Sequence, residues 1–445
     1  MMSESLTLFS RVCNFFNYFQ NPYLVSRFQN YFGVYRVDIF KNGNVNGSVV
    51  KNEIETHEKF KTDCKNIITI KYNNVDEDHV LRHRKTLSSG SENSKSSPLT
   101  SDGEEISDVD SDFENSVHCK IENKFWYYFF SFGAGLGYEM FYASFFPFWI
   151  WNIDGAVCRR VINVWVLIMY VGQAMKDIIC WPRPAAPPVI HLEPQYVVEY
   201  GMPSTHAMVG AAVPFSFLYF TLYRYEYNVI YGILIATGWC ILVCCSRLYM
   251  GMHTVLDIIG GLSLVAILMT IILPFSDFID HYQLTNPYSP VVTVAFMLFL
   301  QITYPKTQRW TPARGDTAVI MGTGTGFALG SWLNYRLGVI RGPAIPPPYM
   351  IMWPGYKVFG LALLRAMIGI SCIVATRAFF KSVTYALLCF VMRVDSRDLK
   401  SKQKILVEIP SKFITYTAIG FVITYIAPFV FRLLCIERET AFTEV

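Results

Sequence analysis

The sequence predicts an all-α, polytopic membrane protein. Three observations point there. The chain is 52% hydrophobic and only 16% charged, whereas a soluble domain carries about 25% charged residues. Apolar stretches of membrane-spanning length recur from Phe125 onward, and in a bilayer only helices or closed barrels satisfy every backbone polar group. Clusters of Lys, Arg and His stand at the ends of these stretches rather than within them.

Residues 1–118 read as a mostly disordered polar tail. Between Phe9 and Val37 the text is aromatic and amphipathic, as in NPYLVSRFQNYFGV, which predicts an interfacial helix near 9–37. From Arg82 to Asn115 aromatics are few, and seven acids between Asp102 and Glu114 stand with no Lys or Arg among them. Such a segment buries too little apolar surface to fold alone. Ser107 and Ser111 each have an acid three residues on, which suits an acidophilic kinase as well as a plain solubilising tail. The N-terminus lacks a basic stretch followed by a clean apolar core, so no cleavable signal peptide is expected and the first span serves as the targeting signal. Asn46 lies in an Asn-Gly-Ser glycosylation sequon.

The spans follow in order. One runs from Phe125 to Trp151, a second leads to Lys176, a third starts at His206, a fourth ends at Arg247 and a fifth starts at His253. Weaker ones lie near 289–304, 316–335 and 357–380, and a last covers 413–435. FKSVTYALLCFVM is either re-entrant or a further span, so the total is about nine. Residues 281–435 are thus additional transmembrane helices after 119–280, and 436–445 form a short C-terminal tail. The net charge of +4 is too small to argue for nucleic acid, and the eleven cysteines form no CxxC pair. They read as small buried hydrophobes, with no metal site.

The chemistry lies in three clusters: Lys176, six residues, then Arg183 and Pro184; Pro203-Ser204-Thr205-His206; and Ser246-Arg247, five residues, His253, three residues, Asp257. Singly they have plainer readings: snorkelling flanks for Lys176 and Arg183, a satisfied polar residue at a helix start for His206. Together they converge, because spans alternate in direction. Lys176 ends the second span, His206 starts the third, Arg247 ends the fourth and His253 starts the fifth, so all share one membrane face. Two helix starts there offer orphan N–H groups to an anion. Arg183 and Arg247 offer bidentate forks and Lys176 a point charge. Ser204 stands where an N-cap belongs, beside Thr205. His253 and Asp257, four apart, share one helix face, so the carboxylate can fix the imidazole tautomer and leave the other nitrogen as a nucleophile toward phosphorus. His206 can protonate the departing alkoxide and then deprotonate water. No carboxylate pair spaced for divalent ions accompanies the site, so no cofactor is expected. The partners are a lipid phosphate and membrane lipids; self-association is left open. Glu139, inside the first span, is either a helix-packing contact or a partner for a substrate amine.

These ten fixed positions resemble the three signatures of the type 2 phosphatidic acid phosphatase (PAP2) superfamily. Thr205 stands where most of that superfamily has glycine, but it matches the sphingosine-1-phosphate phosphatase branch. The stretches GAGLGYEMFY, MYVGQAMKDIICWPRPA, EYGMPSTHAM, SRLYMGMHTVLDI and RGDTA resemble that branch too. The resemblance is strongest from Phe125 to Asp280. It implies a six-helix catalytic core within 119–280 and a metal-free hydrolysis of sphingoid base 1-phosphates in the endoplasmic reticulum. It also implies a phosphohistidine on His253, an acid role for His206, and phosphate contacts from Lys176, Arg183, Ser204 and Arg247. A lipid phosphotransferase, a broader lipid phosphatase and a non-catalytic scaffold are the alternatives. The basic loops favour a cytosolic site by the positive-inside rule, the superfamily a lumenal one, and one span more or less reverses the answer.

Overall fold

In a computed structural model, residues 2–37, 67–71, 116–307, 310–342, 346–351, 353–393, 405–442 and 444 are described. The acidic segment, Ser107, Ser111 and Asn46 lie outside them. Helices α1 (Met2–Gln20) and α2 (Pro22–Tyr31) precede strand β1 (Val34–Val37), and α2 starts with Asn21 capping Tyr23 and Pro22 at the first turn. Strands β2 (Ile67–Lys71) and β3 (Ser116–Ile121) follow, forming an antiparallel sheet in the order β1-β3-β2. These strands are short and β-branched, and they are set among polar residues that hide them from a composition-based reading.

The membrane part is helical. Among the described residues, six helices are long and apolar enough to cross a bilayer. They are α5 (Gly155–Ile179), α6 (Thr205–Leu222), α7 (Val229–Tyr249), the continuous run Val255–Thr285 made of α8 (Val255–Ile272) and α9 (Ser276–Thr285), α12 (Tyr356–Met392), and the run Leu406–Leu433. The last consists of α13 (Ile405–Phe421), one π-helical turn and α14 (Ala427–Leu433). The expected first span is two shorter helices, α3 (Lys124–Gly135) and α4 (Glu139–Asn152). The break falls in the glycine-rich text GAGLGY, where helix propensity is poor, and it is fixed by a close approach: a Cβ on Gly137 would lie 2.5 Å from His206 Cδ2. Helices α10 (Ser289–Thr303) and α11 (Pro312–Arg336) complete the set; α10 is short, and α11 carries too many Gly and Thr to count by hydropathy. FKSVTYALLCFVM is neither re-entrant nor separate, because α12 runs through it without a break.

The core forms around α5 and α6. Val161, Ile162, Val164, Ile168, Met208, Val209 and Val213 are buried there, with Met321 and Phe327 from α11 and Ile423 from the last run. A second cluster lies around the end of α7. Tyr249, Met250 and Met252 pack with Phe130 of α3, Ile190, and Val34 and Cys119 of the sheet. Gln29 of α2 joins it through polar contacts. Its side chain donates to the Ile190 and Tyr249 carbonyls at 2.7 and 3.0 Å and accepts from Ile190 N–H at 3.0 Å. The N-terminal elements therefore sit on the end of the bundle where α5 and α7 finish.

Candidate active site

Each cluster takes its place from a helix end. Lys176 occupies the last turn of α5, which stops at Cys180 in the left-handed conformation (φ 53°) before the proline-rich loop. Ser204 caps α6, accepting from Ala207 N–H at 3.4 Å. Thr254 and Asp257 form a reciprocal capping box at the start of α8, at 3.2 and 2.7 Å. The two helix starts are tied together, since Ser204 N–H donates to the Asp257 carbonyl at 3.0 Å.

The three clusters meet. Arg183 donates through Nη1 to the Met252 carbonyl at 2.7 Å, and the same nitrogen lies 3.4 Å from His253 Nε2. Its Nε reaches the Glu199 carbonyl at 3.2 Å. Lys176 Nζ pairs with Glu199 Oε2 at 2.9 Å, and Arg183 Nη2 stands 3.4 Å from the same oxygen. Arg247 donates through Nη1 to Glu193 Oε2 at 3.2 Å, while its Nη2 is buried with no partner among the described residues. Tyr138, at the α3–α4 break, donates to Glu193 Oε1 and lies under the Arg247 guanidinium, 5.8 Å from ring centroid to Cζ. Tyr138 and Tyr196 both present to the His206 ring, at 5.8 and 6.2 Å. His206 Nε2 is also without a partner among the described residues.

The pocket is dry. Lys176, Arg247 and His253 are each 1% exposed and Asp257 0%. Burial drives the His253 pKa well below its ordinary 6.5, and Arg183, Lys176 and Arg247 push the same way, so its imidazole is neutral near neutral pH. Burial opposes the charge on Glu199, but Lys176 and Arg183 outweigh it and hold that carboxylate below its ordinary range. His253 Nδ1 faces Asp257 Oδ2 at 3.7 Å, an ion-pair distance and longer than a hydrogen bond. Oδ2 is engaged by the Thr254 N–H, and Oδ1 is free among the described residues. Thr205 has room because α5 offers glycine opposite: a Cβ on Gly172 would lie 3.4 Å from Thr205 Cγ2 and 2.7 Å from the Met208 sulfur. The methyl thus packs toward α5.

All eight residues read from the sequence, Lys176, Arg183, Ser204, Thr205, His206, Arg247, His253 and Asp257, lie at this end of the bundle. Sequence reasoning missed Glu193, Glu199, Tyr138 and Tyr196. The signal that could have marked Glu193 and Glu199 is the pair of acids in HLEPQYVVEYG, which lies between the cluster of Lys176 and Arg183 and that of Ser204 and His206; Tyr138 carries no such signal. Glu139 is exposed and has no hydrogen bond or ion pair among the described residues.

Residues 159–278 match the PAP2 superfamily. Sphingosine-1-phosphate phosphatase 1 of Rattus norvegicus is 44% identical over 326 residues, covering 73% of this chain and 76% of the relative. Sphingosine-1-phosphate phosphatase 2 of Homo sapiens is 39% identical, over 71% of this chain and 79% of the relative. A dihydrosphingosine 1-phosphate phosphatase of Saccharomyces cerevisiae is 27% identical, over 66% and 73%. No solved structure matches the chain.

Proposed function

Since the chain belongs to the sphingosine-1-phosphate phosphatase family of the PAP2 superfamily, we propose that it hydrolyses sphingosine 1-phosphate and related sphingoid base 1-phosphates to the free base and inorganic phosphate. One observation carries the reading: Arg183 touches the His253 Nε2, while a second buried guanidinium, Arg247, holds a free Nη2 in the same polar pocket. Three cations acting on a neutral imidazole, Arg183, Lys176 and Arg247, suit a phosphoryl group under attack.

Mechanism follows from this arrangement. Lys176, Arg183 and Arg247 bind the phosphoryl oxygens, together with N–H groups at the α6 start beside Ser204 and Thr205. His253 Nε2 attacks phosphorus; the P–N bond forms as the P–O bond to the lipid breaks. His206 gives its proton to the departing alkoxide, then takes one from the water that attacks the phosphohistidine, releasing phosphate. Asp257 orients His253 by closing on Nδ1–H, a contact that tightens when substrate fills the pocket. No step calls on a metal ion. The lipid tail stays among the apolar helices, and the endoplasmic reticulum membrane is the compartment that fits such a substrate. Because the N-terminal elements pack on the catalytic end through Gln29, a glycan found on Asn46 in cells would put the site in the lumen.

The test is phosphate release from sphingosine 1-phosphate by purified protein in EDTA, with the phosphoenzyme trapped in acid-labile form by rapid quench. Release that needs His253 supports the reading. Transfer of the phosphoryl group to a lipid alcohol with no release supports the phosphotransferase instead, and equal release from phosphatidate supports a broad lipid phosphatase.

A further inference from the structure

We propose that Glu193, walled by Tyr138 and Tyr196, forms an ammonium-binding subsite that recognises the amine next to the phosphorylated carbon of the substrate. This rests on the phosphatase reading above and names what selects its substrate.

The geometry begins at Arg247. Its Nη1 holds Glu193 Oε2 at 3.2 Å, and its Nη2 is buried and unpartnered among the described residues. One guanidinium therefore presents a carboxylate on one nitrogen and a vacant donor on the other. A phosphate oxygen taken by Nη2 would stand about 4–5 Å from the Glu193 carboxylate, given ordinary N–H···O lengths. In a sphingoid base 1-phosphate the path from phosphorus through oxygen and two carbons to nitrogen also spans about 4–5 Å. An ammonium can then bridge the phosphate and Glu193 while Arg247 holds both anions. Adding one cation between two anions beside a third charge also balances the buried pocket.

The surroundings suit a cation. Tyr138 and Tyr196 lie with ring centroids 6.1 Å apart, near-parallel at 24°, and both adjoin His206. Their faces attract an ammonium. Burial, then Glu193 and Glu199, push the Tyr196 hydroxyl up to about 12, so it stays a neutral donor. Glu193 is held in place by the Tyr138 hydroxyl and is 6% exposed. The other acids are worse placed: Glu199 already faces two cations, Lys176 and Arg183, through Oε2, where Glu193 faces Arg247 alone, and Glu139 is exposed and makes no hydrogen bond or ion pair among the described residues.

The test compares kcat/KM for sphingosine 1-phosphate, its N-acetyl derivative and octadecyl phosphate, using the full chain in lipid nanodiscs. The wild type is expected to prefer the free amine over both others by about tenfold or more, the order expected of a charge-assisted hydrogen bond. Glu193→Gln is expected to cut that preference about tenfold, Tyr138→Phe to cut it less, and Glu139→Gln to leave it within about twofold. Equal wild-type rates on all three lipids overturn the subsite, as does an equal fall on all three in Glu193→Gln; the wild-type comparison decides even where that variant does not fold. A wild type that releases phosphate from none of them overturns the phosphatase reading instead.

Discussion

The two ends of α5 carry similar side chains and use them differently. At its start, four arginines meet four carboxylates in pairs. Arg159 lies 3.1 Å from Asp280, Arg160 2.6 Å from Asp277 and Arg438 2.6 Å from Glu444, and Arg224 is bound to Asp154. Of all these groups, Arg438 Nε alone is a buried polar atom without a partner among the described residues. At its finish, about 37 Å away along the helix, Arg247 Nη2, His206 Nε2, His253 Nδ1 and Asp257 Oδ1 all lack one. Buried polar groups cost stability unless hydrogen-bonded. The far end spends its hydrogen bonds on the fold; in the proposed mechanism the near end leaves Arg247 Nη2 and His206 Nε2 for a substrate, while His253 Nδ1 and Asp257 close on each other.

The largest expected effect breaks the near end. His253→Ala should lower turnover at least about a thousandfold, because the proposed nucleophile is removed. The unfolding temperature should change less than in variants of the far end. Turnover within tenfold of wild type, in the EDTA assay above, would show that His253 is a buried packing residue like those around it. Arg247→Lys comes next. A lysine keeps the charge but offers one point donor in place of a fork, so it serves Glu193 or the phosphate and not both. A fall in kcat/KM of about a hundredfold is expected. A loss of twofold or less would place Arg247 with the structural pairs.

Much of this contrast was legible in the sequence, and the reason is topological. Lys176, His206, Arg247 and His253 stand at consecutive span ends, so alternation alone puts them on one face. Their local structure was legible too: Ser204 precedes an apolar run, and Thr254 stands three residues before Asp257, both helix-start patterns. Glu193 and Glu199 were not, because a loop has no periodicity to say which way a side chain points. The α3–α4 break was masked because Phe125 to Trp151 is mostly apolar and long enough to span, although its glycines weaken the helix and the contact of Gly137 with His206 fixes the break there. Asp257 was expected on His253 from i, i+4 spacing; the 3.7 Å separation shows the capping box competing for the same carboxylate.

A third variant works on the far end. Asp280→Ala removes the carboxylate that stands 3.1 Å from Arg159 and 3.5 Å from Arg160. It leaves the buried Arg159 charge uncompensated, a loss of about 3–5 kcal/mol. Thermal unfolding in detergent should show the drop, while turnover per folded molecule stays within about twofold. A selective loss of turnover at unchanged stability would show that the two ends are coupled and the contrast false.

The smallest effect is a pH dependence, and it separates the ends by its sign and window. His253 has a folded pKa well below 6.5. Between 6.5 and that lower value the unfolded chain takes up a proton that the folded one refuses, so stability falls as pH falls through this window. At the far end burial opposes the charge on Asp154, but Arg224 and Tyr225 outweigh it and hold the carboxylate below its ordinary 3.8. Its contribution is complete above 3.8 and is lost only below. From pH 7 to 5.5 the end that carries His253 should therefore loosen first, by roughly 1.4 kcal/mol for each pH unit that this histidine refuses its proton. Hydrogen exchange should rise in residues 180–204 before it rises around Arg159, and His253→Asn should lessen the fall in unfolding temperature without abolishing it, because burial also pushes His191 down to about 4. A fall equally steep in that variant would mean that the acid sensitivity belongs to another group and that the imidazole is not held neutral by its surroundings.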